Sequence, residues 1–140
     1  MSEMTIGALS AATGVKIPTI RYYESIGLSP PPPRTEGNRR LYDERAAQRL
    51  RFIRHARELG FEVEAIRQLL ALSDDPDRSC REIDYLARLH LADIDSKIAR
   101  LQALRSEVAG MLDHCPERQV RTCRVVEVLG NHARCLHETH

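Results

Sequence analysis

Apolar residues recur at steps of three and four between residues 81 and 114, and this spacing predicts one long amphipathic helix. The segment has no proline and a single glycine, Gly110, and Pro116 is the first residue that would stop it. Charged side chains, among them Glu107, are expected on the opposite, solvated face. The apolar stripe consists of Ile83, Leu86, Ala87, Leu91, Ile94, Ile98, Leu101, Leu104, Val108, Met111 and Leu112.

A helix of this length extends about 50 Å, which is too long for the rest of a 140-residue chain to cover. The apolar stripe therefore needs a partner, and a second copy of the same helix is the simplest candidate. We predict a homodimer held together by this helix.

Cysteines lie at both ends of the predicted helix: Cys80 precedes it, and Cys115 and Cys123 follow it. Within one chain the helix separates Cys80 from the other two. In an antiparallel dimer the start of one helix lies beside the end of the other. The hypothesis is two equivalent metal sites, each built from Cys80 of one subunit and both later cysteines of the other. The alternative is that Cys80 is a small buried residue and the other two are incidental.

Two short helical patterns open the chain. Thr5 is a suitable N-cap for a helix that Gly14 ends, and Pro18 stands in the first turn of a second helix that runs to Gly27. Two short helices around a glycine-containing turn are the outline of a helix-turn-helix. In such motifs the second helix faces the major groove or its flanking phosphates. The residues expected there are Lys16, Thr19, Arg21 and Tyr22, with one of Tyr22 and Tyr23 buried instead.

A wing is predicted after the proline run 30–33. Gly37-Asn38 is a turn dipeptide, and the side chains after it alternate as in a small hairpin. The segment is dense in donors for the DNA backbone, and residues 34–57 carry eight Lys and Arg against three Asp and Glu. Such a basic segment in a chain of net charge +1 suggests phosphate contact, although a solvated helix face would have the same composition. The candidate DNA contacts here are Arg34, Asn38, Arg39, Arg40, Tyr42 and Arg54.

Two further helices are predicted, from Asp43 to Gly60 and from Phe61 to Leu72, and Ser79 can cap the long helix. The expected fold class is mainly α: a winged helix-turn-helix, a long antiparallel coiled-coil dimerisation helix and a C-terminal metal-binding loop. The expected boundaries are 1–72 for the DNA-binding domain, 73–78 for a hinge, 79–114 for the dimerisation helix, and 115–140 for the loop, a short helix and the tail.

The compartment bears on the cysteine chemistry. The N-terminus lacks the apolar core of a signal peptide, and no stretch reaches the length of a membrane span. We therefore expect a cytoplasmic protein without membrane contact. Cytoplasmic thiols stay reduced, so four cysteines favour metal or redox chemistry over structural disulfides.

The order of motifs resembles the MerR family of transcription regulators. The segments TIGALSAATGV, IRYYESIGL, the wing GNRRLY, LRFIRHARELGF and EAIRQLLAL follow one another as in that family, and the likeness covers residues 4–112. A cysteine at the head of the long helix and a C-x7-C loop at its foot look like the metal-sensing branch. The resemblance implies a homodimer on palindromic double-stranded promoter DNA, which distorts the DNA when metal binds so that RNA polymerase can engage both promoter elements.

The predicted ligands narrow the choice of metal ion. Thiolates are soft ligands and select Zn, Cd, Pb, Hg or Cu(I) over Mg or Ca. Three thiolates balance a divalent ion better than a monovalent one, because buried excess charge is costly. By resemblance, monovalent sensors carry Ser at the position of Cys80. We expect zinc first, with cadmium, lead or mercury as alternatives; the C-x7-C length alone decides nothing.

A fourth ligand or a second site could come from histidines and the last cysteine. Zinc and cadmium prefer four ligands, whereas three sulfurs alone suit lead or mercury. His114 adjoins Cys115, and the tail is rich in soft ligands; its alternative interpretation is a frayed terminus. The candidates for this second set are His114, His132, Cys135, His137 and His140.

Other functions on the same scaffold stay open or are disfavoured. A thiol-stress regulator would pair Cys115 with Cys123 on oxidation, and a Cu(I)-type regulator is a further alternative. A multidrug sensor needs more residues after Leu112 than the chain has. An enzyme is not expected, because the sequence has no nucleophile–base pair, no glycine-rich phosphate loop and no HExxH motif.

Overall fold

The computed structural model describes residues 3–32, 34, 36–37, 39–113, 119–120 and 123–135. Within these residues the chain forms six α-helices, and its backbone divides into two compact units, Met1–Leu86 and Ala87–His140. No helix among them is long and apolar enough to cross a lipid bilayer. The mainly α fold class is confirmed. The helices are α1 Ile6–Thr13, α2 Ile17–Ser25, α3 Glu44–Glu58, α4 Val63–Ser73, α5 Arg81–Asp113 and α6 Arg124–Gly130.

Local signals set the ends of α1 and α2. The Thr5 side chain accepts a hydrogen bond from the Ala8 amide at 3.2 Å, as expected of an N-cap. Gly14 ends α1 in the left-handed region, with φ 73°. Pro18 lies in the first turn of α2, and Gly27 has φ 74° just beyond its end. These bounds agree with the predicted helix-turn-helix.

One apolar core joins α1, α2, α3 and α4 in the first unit. The Asp43 side chain caps α3 by accepting from the Ala46 amide at 3.0 Å. Each of the four helices turns apolar residues inward, and several are fully buried. This core fixes the helix-turn-helix against the two helices that follow it. Its members are Leu9, Val15, Ile20, Tyr23, Leu28, Tyr42, Ala47, Leu50, Ile53, Ala56, Ile66 and Leu70.

Among the wing residues that the structure describes, single bridges rather than extended strands pair the backbone. Arg34 pairs with Arg40 in an antiparallel bridge around the turn at Glu36 and Gly37. Tyr42 makes a second antiparallel bridge with Met4, with both backbone hydrogen bonds at 2.7–2.8 Å. The second bridge attaches the end of the wing to the segment that precedes α1.

Helix α5 is continuous over 33 residues, as predicted, and the Ser79 hydroxyl accepts from the Arg81 amide at 3.3 Å. Much of its apolar stripe is exposed on the single chain. One expectation was wrong: Glu107 is only 5 % exposed rather than on the solvated face. It lies one helical turn from Met111, which is also buried, so both occupy a covered face of α5. The exposed large side chains of the stripe are Leu91, Ile94, Ile98, Leu101, Val108 and Leu112.

Candidate nucleic-acid interface and metal-ligand residues

Three arginines tie the helix-turn-helix to α3 and α4 through backbone carbonyl groups. Arg54 donates to the Thr13 carbonyl at the end of α1 at 2.8 Å. Arg67 donates to the Ile26 carbonyl just after α2, also at 2.8 Å. The third, Arg49, donates to the Leu28 carbonyl at 3.1 Å. The first two bonds satisfy carbonyl groups at helix ends, which have no intrahelical partner, and the third anchors the segment after α2. Some of the arginines of α3 and α4 therefore help to orient α1 and α2.

A concavity lies between α2 and the wing. Four arginines line it, together with one carboxylate, Glu24, and neutral residues from the start of α1 and the proline run. A guanidinium group presents its N–H donors as a planar fork, which suits phosphate oxygens or a guanine edge. The four arginines are Arg21, Arg34, Arg39 and Arg40.

The predicted DNA-contact residues differ in exposure. Tyr22 is 54 % exposed and its neighbour Tyr23 only 8 %, which confirms that one of the two is buried. Of the other candidates, Lys16, Arg21, Arg34 and Arg39 are exposed, and Thr19 and Arg40 are half-buried. Arg54 has a half-exposed side chain, although it donates to both Thr13 and Glu58.

Tyr42 lies in the core instead of on the outer surface that the sequence suggested. Its ring is 3 % exposed, and its hydroxyl donates to the Glu24 carboxylate at 3.0 Å. Burial raises the pKa of the Tyr42 phenol, and the hydrogen bond to Glu24 and its negative charge raise it further, against an opposing effect of Arg40. The extended segment Arg39–Tyr42 places successive side chains on opposite faces. The sequence pattern alone does not say which of the two faces points into the core.

The thiols fall in both units. Cys80 is exposed and precedes α5, where its carbonyl accepts from the Asp84 amide at 2.9 Å. Cys123 is the N-cap residue of α6 and is partly buried. Cys135 is partly buried as well and follows a 3₁₀ turn, His132–Arg134, that Asn131 caps. Thiolate sulfur is a soft ligand, so the exposed Cys80 is chemically suited and accessible to a soft metal ion.

No complete metal site is formed by the described residues. Among them the structure brings together no group of three or more His, Cys, Asp or Glu able to hold a metal ion. Five predicted site residues lie outside the described residues, so their positions stay predictions: Asn38, His114, Cys115, His137 and His140.

Sequence profiles of two related families match the chain. The MerR HTH family regulatory proteins match residues 4–73, and the MerR DNA-binding family matches residues 47–111. Together they span the first unit and most of α5. The chain belongs to the MerR family. As a member of that family it is a DNA-binding regulator and not an enzyme, as predicted.

Three MerR-family relatives show how far the similarity extends. Heavy metal-dependent transcription regulator 2 of Rhizobium meliloti is 39 % identical over 91 % of this chain and 87 % of its own length. The transcription regulator PbrR691 from Ralstonia metallidurans, crystallised with lead(II), is 41 % identical with a TM-score of 0.81, covering 90 % of this chain and 98 % of that one. A dual-function MerR regulator from Bacillus megaterium, crystallised with mercury(II), is 31 % identical with a TM-score of 0.71, covering 91 % and 100 %.

Proposed function

We propose that this MerR-family chain is a metal-responsive transcription regulator that works as a homodimer in the cytoplasm. It binds a palindromic promoter and, when a soft divalent ion binds, distorts the DNA so that RNA polymerase can use the promoter. The observation that carries the proposal is the pairing of a long, exposed apolar stripe on α5 with a thiol, Cys80, at the start of that helix.

The concavity between α2 and the wing supports the DNA contact. Its four arginines lie on α2, the proposed recognition helix, and on the wing. A duplex bound there would therefore contact cations from both elements. We assign Lys16, Thr19, Arg21 and Tyr22 of the α2 region to the major groove and its edges. Arg34, Asn38, Arg39 and Arg40 of the wing then serve the flanking phosphates, while Arg54 mainly orients α1.

The exposure of α5 supports the dimer. Leu101 and Leu112 are each 63 % exposed on the single chain, and Leu91 is 58 % exposed. A regular stripe of large apolar side chains is the surface that coiled-coil pairing buries. Antiparallel pairing would bring Cys80 of one subunit to Cys115 and Cys123 of the partner subunit, which completes a three-sulfur site that the described residues of one chain do not form.

The thiol chemistry and the relatives support a soft divalent ion. Two of the relatives named above were crystallised with lead(II) and mercury(II), both soft ions. Three thiolates leave one net negative charge with a divalent ion and two with a monovalent ion, and the larger buried charge costs more. We favour zinc, with His114 as the fourth ligand, and keep cadmium, lead and mercury as alternatives. The tail residues His132, Cys135, His137 and His140 form a candidate second zinc site.

Metal binding has to change the DNA as well as the protein. Bending or untwisting an operator costs a few kcal/mol. The ion can drive that change only if it binds the distorting state more tightly by a comparable amount. A pocket divided between two subunits meets this requirement, because closing it moves one subunit against the other.

A competition titration tests the proposal. The reduced dimer is titrated with Zn, Cd, Pb, Hg, Co and Cu(I) while transcription from the bound promoter is measured. We expect a divalent soft ion to activate at the lowest free concentration. Activation by Cu(I) alone would assign the chain to the monovalent class. Activation by a thiol oxidant in the absence of metal would assign it to the redox class.

A further inference from the structure

We propose that Glu24 is a positioning residue that fixes the wing to the recognition helix and thereby sets where the wing arginines meet DNA. The inference rests on the proposed DNA contact of the wing. It starts from one side chain: Glu24 lies on α2, three residues after Arg21, and its side chain is only 6 % exposed. A carboxylate buried to this extent requires hydrogen-bond donors.

Both donors to Glu24 come from the wing. The Tyr42 hydroxyl donates to one carboxylate oxygen at 3.0 Å, and Arg40 Nη1 donates to the other at 3.3 Å. A single α2 side chain therefore holds two wing residues that stand two positions apart. Residues two apart share one face of an extended segment, so Arg40 and Tyr42 both turn toward α2. Arg39, which precedes them and has the opposite register, is exposed.

The Met4–Tyr42 bridge makes this connection more than a local contact. Tyr42 is fixed on its backbone by Met4 and on its side chain by Glu24. The wing is thus held at its base by the segment that leads into α1 and at its side by the recognition helix. Without Glu24, the hydroxyl of a buried tyrosine loses its partner, and the position of Arg39 relative to Arg21 is no longer determined by α2.

This arrangement separates the roles of the arginines. Arg40 uses one donor group on Glu24 and is half-buried, so it connects the wing to α2 in addition to its proposed phosphate contact. Arg39 and Arg21 are the exposed cations whose spacing the connector sets. Glu24 thus tunes DNA affinity without touching DNA, and a residue of this kind acts through the geometry of its neighbours.

The chain offers a matched control. Glu64 pairs with Arg67 at 3.3 Å, the same distance as the Glu24–Arg40 pair, but its side chain is 72 % exposed. Glu64→Ala therefore removes the same charge from the same unit and breaks a carboxylate–arginine pair of equal length outside the concavity, while Arg67 keeps its separate Nη2 bond to the Ile26 carbonyl. It controls for the general electrostatic effect of removing one negative charge on DNA binding.

The test measures binding to a duplex that the wild-type chain selects from a randomised pool. We expect Glu24→Ala to weaken binding about tenfold and to lower the slope of log K against log salt by about 0.9 for each phosphate that the variant no longer neutralises. Glu24→Gln keeps an acceptor and a polar group for both partners and restores most of the affinity. Glu64→Ala leaves affinity and slope near the wild-type values.

A double-mutant cycle between Glu24 and Arg39 gives the sharpest result. Glu24 bonds to Arg40 and Tyr42, so independent roles of Glu24 and Arg39 predict additive decreases in DNA affinity. If Glu24 positions Arg39, then Arg39→Ala costs much less in the Glu24→Ala background than in the wild type. Additive decreases, or equal decreases for Glu24→Ala and Glu64→Ala, overturn the inference.

Hydrogen exchange separates failure of this inference from failure of the proposed function. In the DNA-free chain, we expect the amides of residues 39–42 to exchange at least several-fold faster in Glu24→Ala and at an unchanged rate in Glu64→Ala. Unchanged exchange in Glu24→Ala overturns the positioning role whatever the DNA result. If the wild-type chain selects no duplex while exchange responds as expected, it is the proposed DNA function that fails.

Discussion

The guanidinium of Arg54 fills the space beside Gly14 in which any larger residue would place its Cβ. A Cβ built on Gly14 would lie 2.0 Å from Arg54 Nη1, the atom that donates to the Thr13 carbonyl. Gly14 also has φ 73°, a conformation that costs other residues energy. Two constraints, one local and one from α3, thus meet at the turn between α1 and α2.

Gly14→Ala is expected to lower the free energy of unfolding by about 1–3 kcal/mol, through backbone strain and displacement of Arg54. Gly7→Ala is the matched control, because its Cβ would have only Thr5 Oγ1 nearby, at 3.9 Å, and alanine suits a helix. Urea denaturation of the two variants and wild type measures the difference. Equal stabilities for both variants would show that neither the backbone strain at Gly14 nor the displacement of Arg54 costs stability.

The same pair shows what the sequence can and cannot reveal. The turn at Gly14 and the caps Thr5 and Asp43 are predictable, because each depends on residues within four positions along the chain. The Arg54–Thr13 bond is not, because its partners are 41 residues apart, and nothing in local spacing distinguishes an inward arginine from one that faces DNA. The burial of Glu107 has the same origin: helical periodicity gives its face, whereas the covering of that face depends on the tertiary fold.

The candidate site also has features that the sequence predicts and features that it does not. The arginines of α2 and the wing could be predicted as candidate DNA contacts from the motif order alone, and the structure places them around one concavity. The inward orientation of Tyr42 could not, because an alternating segment has two sides and its pattern does not say which one the core occupies. The candidate metal ligands are predicted from cysteine spacing, and their proposed assembly needs a second subunit.

Tyr42 gives a pH-dependent prediction. An unfolded tyrosine ionises near pH 10, and the pKa of folded Tyr42 is raised, chiefly by burial. Below the unfolded value the phenol is protonated in both states, and its contribution to stability is complete. As the pH rises through the unfolded and then the folded pKa, the unfolded state loses its proton first, so this stability is lost.

We expect Tyr42→Phe to cost about 1–3 kcal/mol at neutral pH, because Glu24 loses a donor, and to flatten the decline of stability above pH ~10. Tyr22→Phe removes the same hydroxyl from an exposed ring and should leave stability near the wild-type value at neutral pH. Denaturation midpoints of the variants and wild type, measured at several alkaline pH values, test this prediction. If the stability of Tyr42→Phe falls with rising pH as steeply as that of wild type, other groups cause the loss.

Arg21 and Arg39 should behave as DNA contacts. Arg21→Ala and Arg39→Ala are each expected to weaken duplex binding and to reduce its salt slope by about 0.9 for each phosphate left without its cation. Arg78→Ala provides the comparison, since Arg78 pairs with Glu82 beside the start of α5 and lines no part of the concavity. Fluorescence anisotropy at several salt concentrations measures both quantities. If the salt slope falls equally in all three variants, the effect comes from the loss of one positive charge and not from a specific DNA contact.

Leu101 tests the dimer. Its side chain is 63 % exposed on the apolar stripe of α5. Leu101→Glu would place two charges in the proposed coiled coil and should convert the dimer to monomer at micromolar concentration, since burying an unpaired carboxylate costs several kcal/mol. Gln102→Glu adds the same charge at the next position, off the stripe, and should stay dimeric. Sedimentation velocity distinguishes the species; an intact Leu101→Glu dimer would place the interface elsewhere.

The shared metal site has a complementation test. Cys80→Ser, Cys115→Ser and Cys123→Ser are each expected to abolish metal-dependent activation while duplex affinity stays within about twofold of wild type, because the thiols lie outside the DNA-reading elements. Cys135→Ser should retain activation if the tail forms a separate site. Loss of DNA binding in all three variants would instead indicate a structural role for these cysteines.

The decisive experiment mixes subunits. A heterodimer of Cys80→Ser with the double variant Cys115→Ser/Cys123→Ser contains one pocket with all three thiols and one with none, if each pocket spans both subunits. At the three-thiol pockets, metal titration should then give one ion per heterodimer and none for either parent homodimer. A heterodimer that binds no ion would place all three sulfurs within a single chain. Two ions per heterodimer would show that the ion does not require these cysteines.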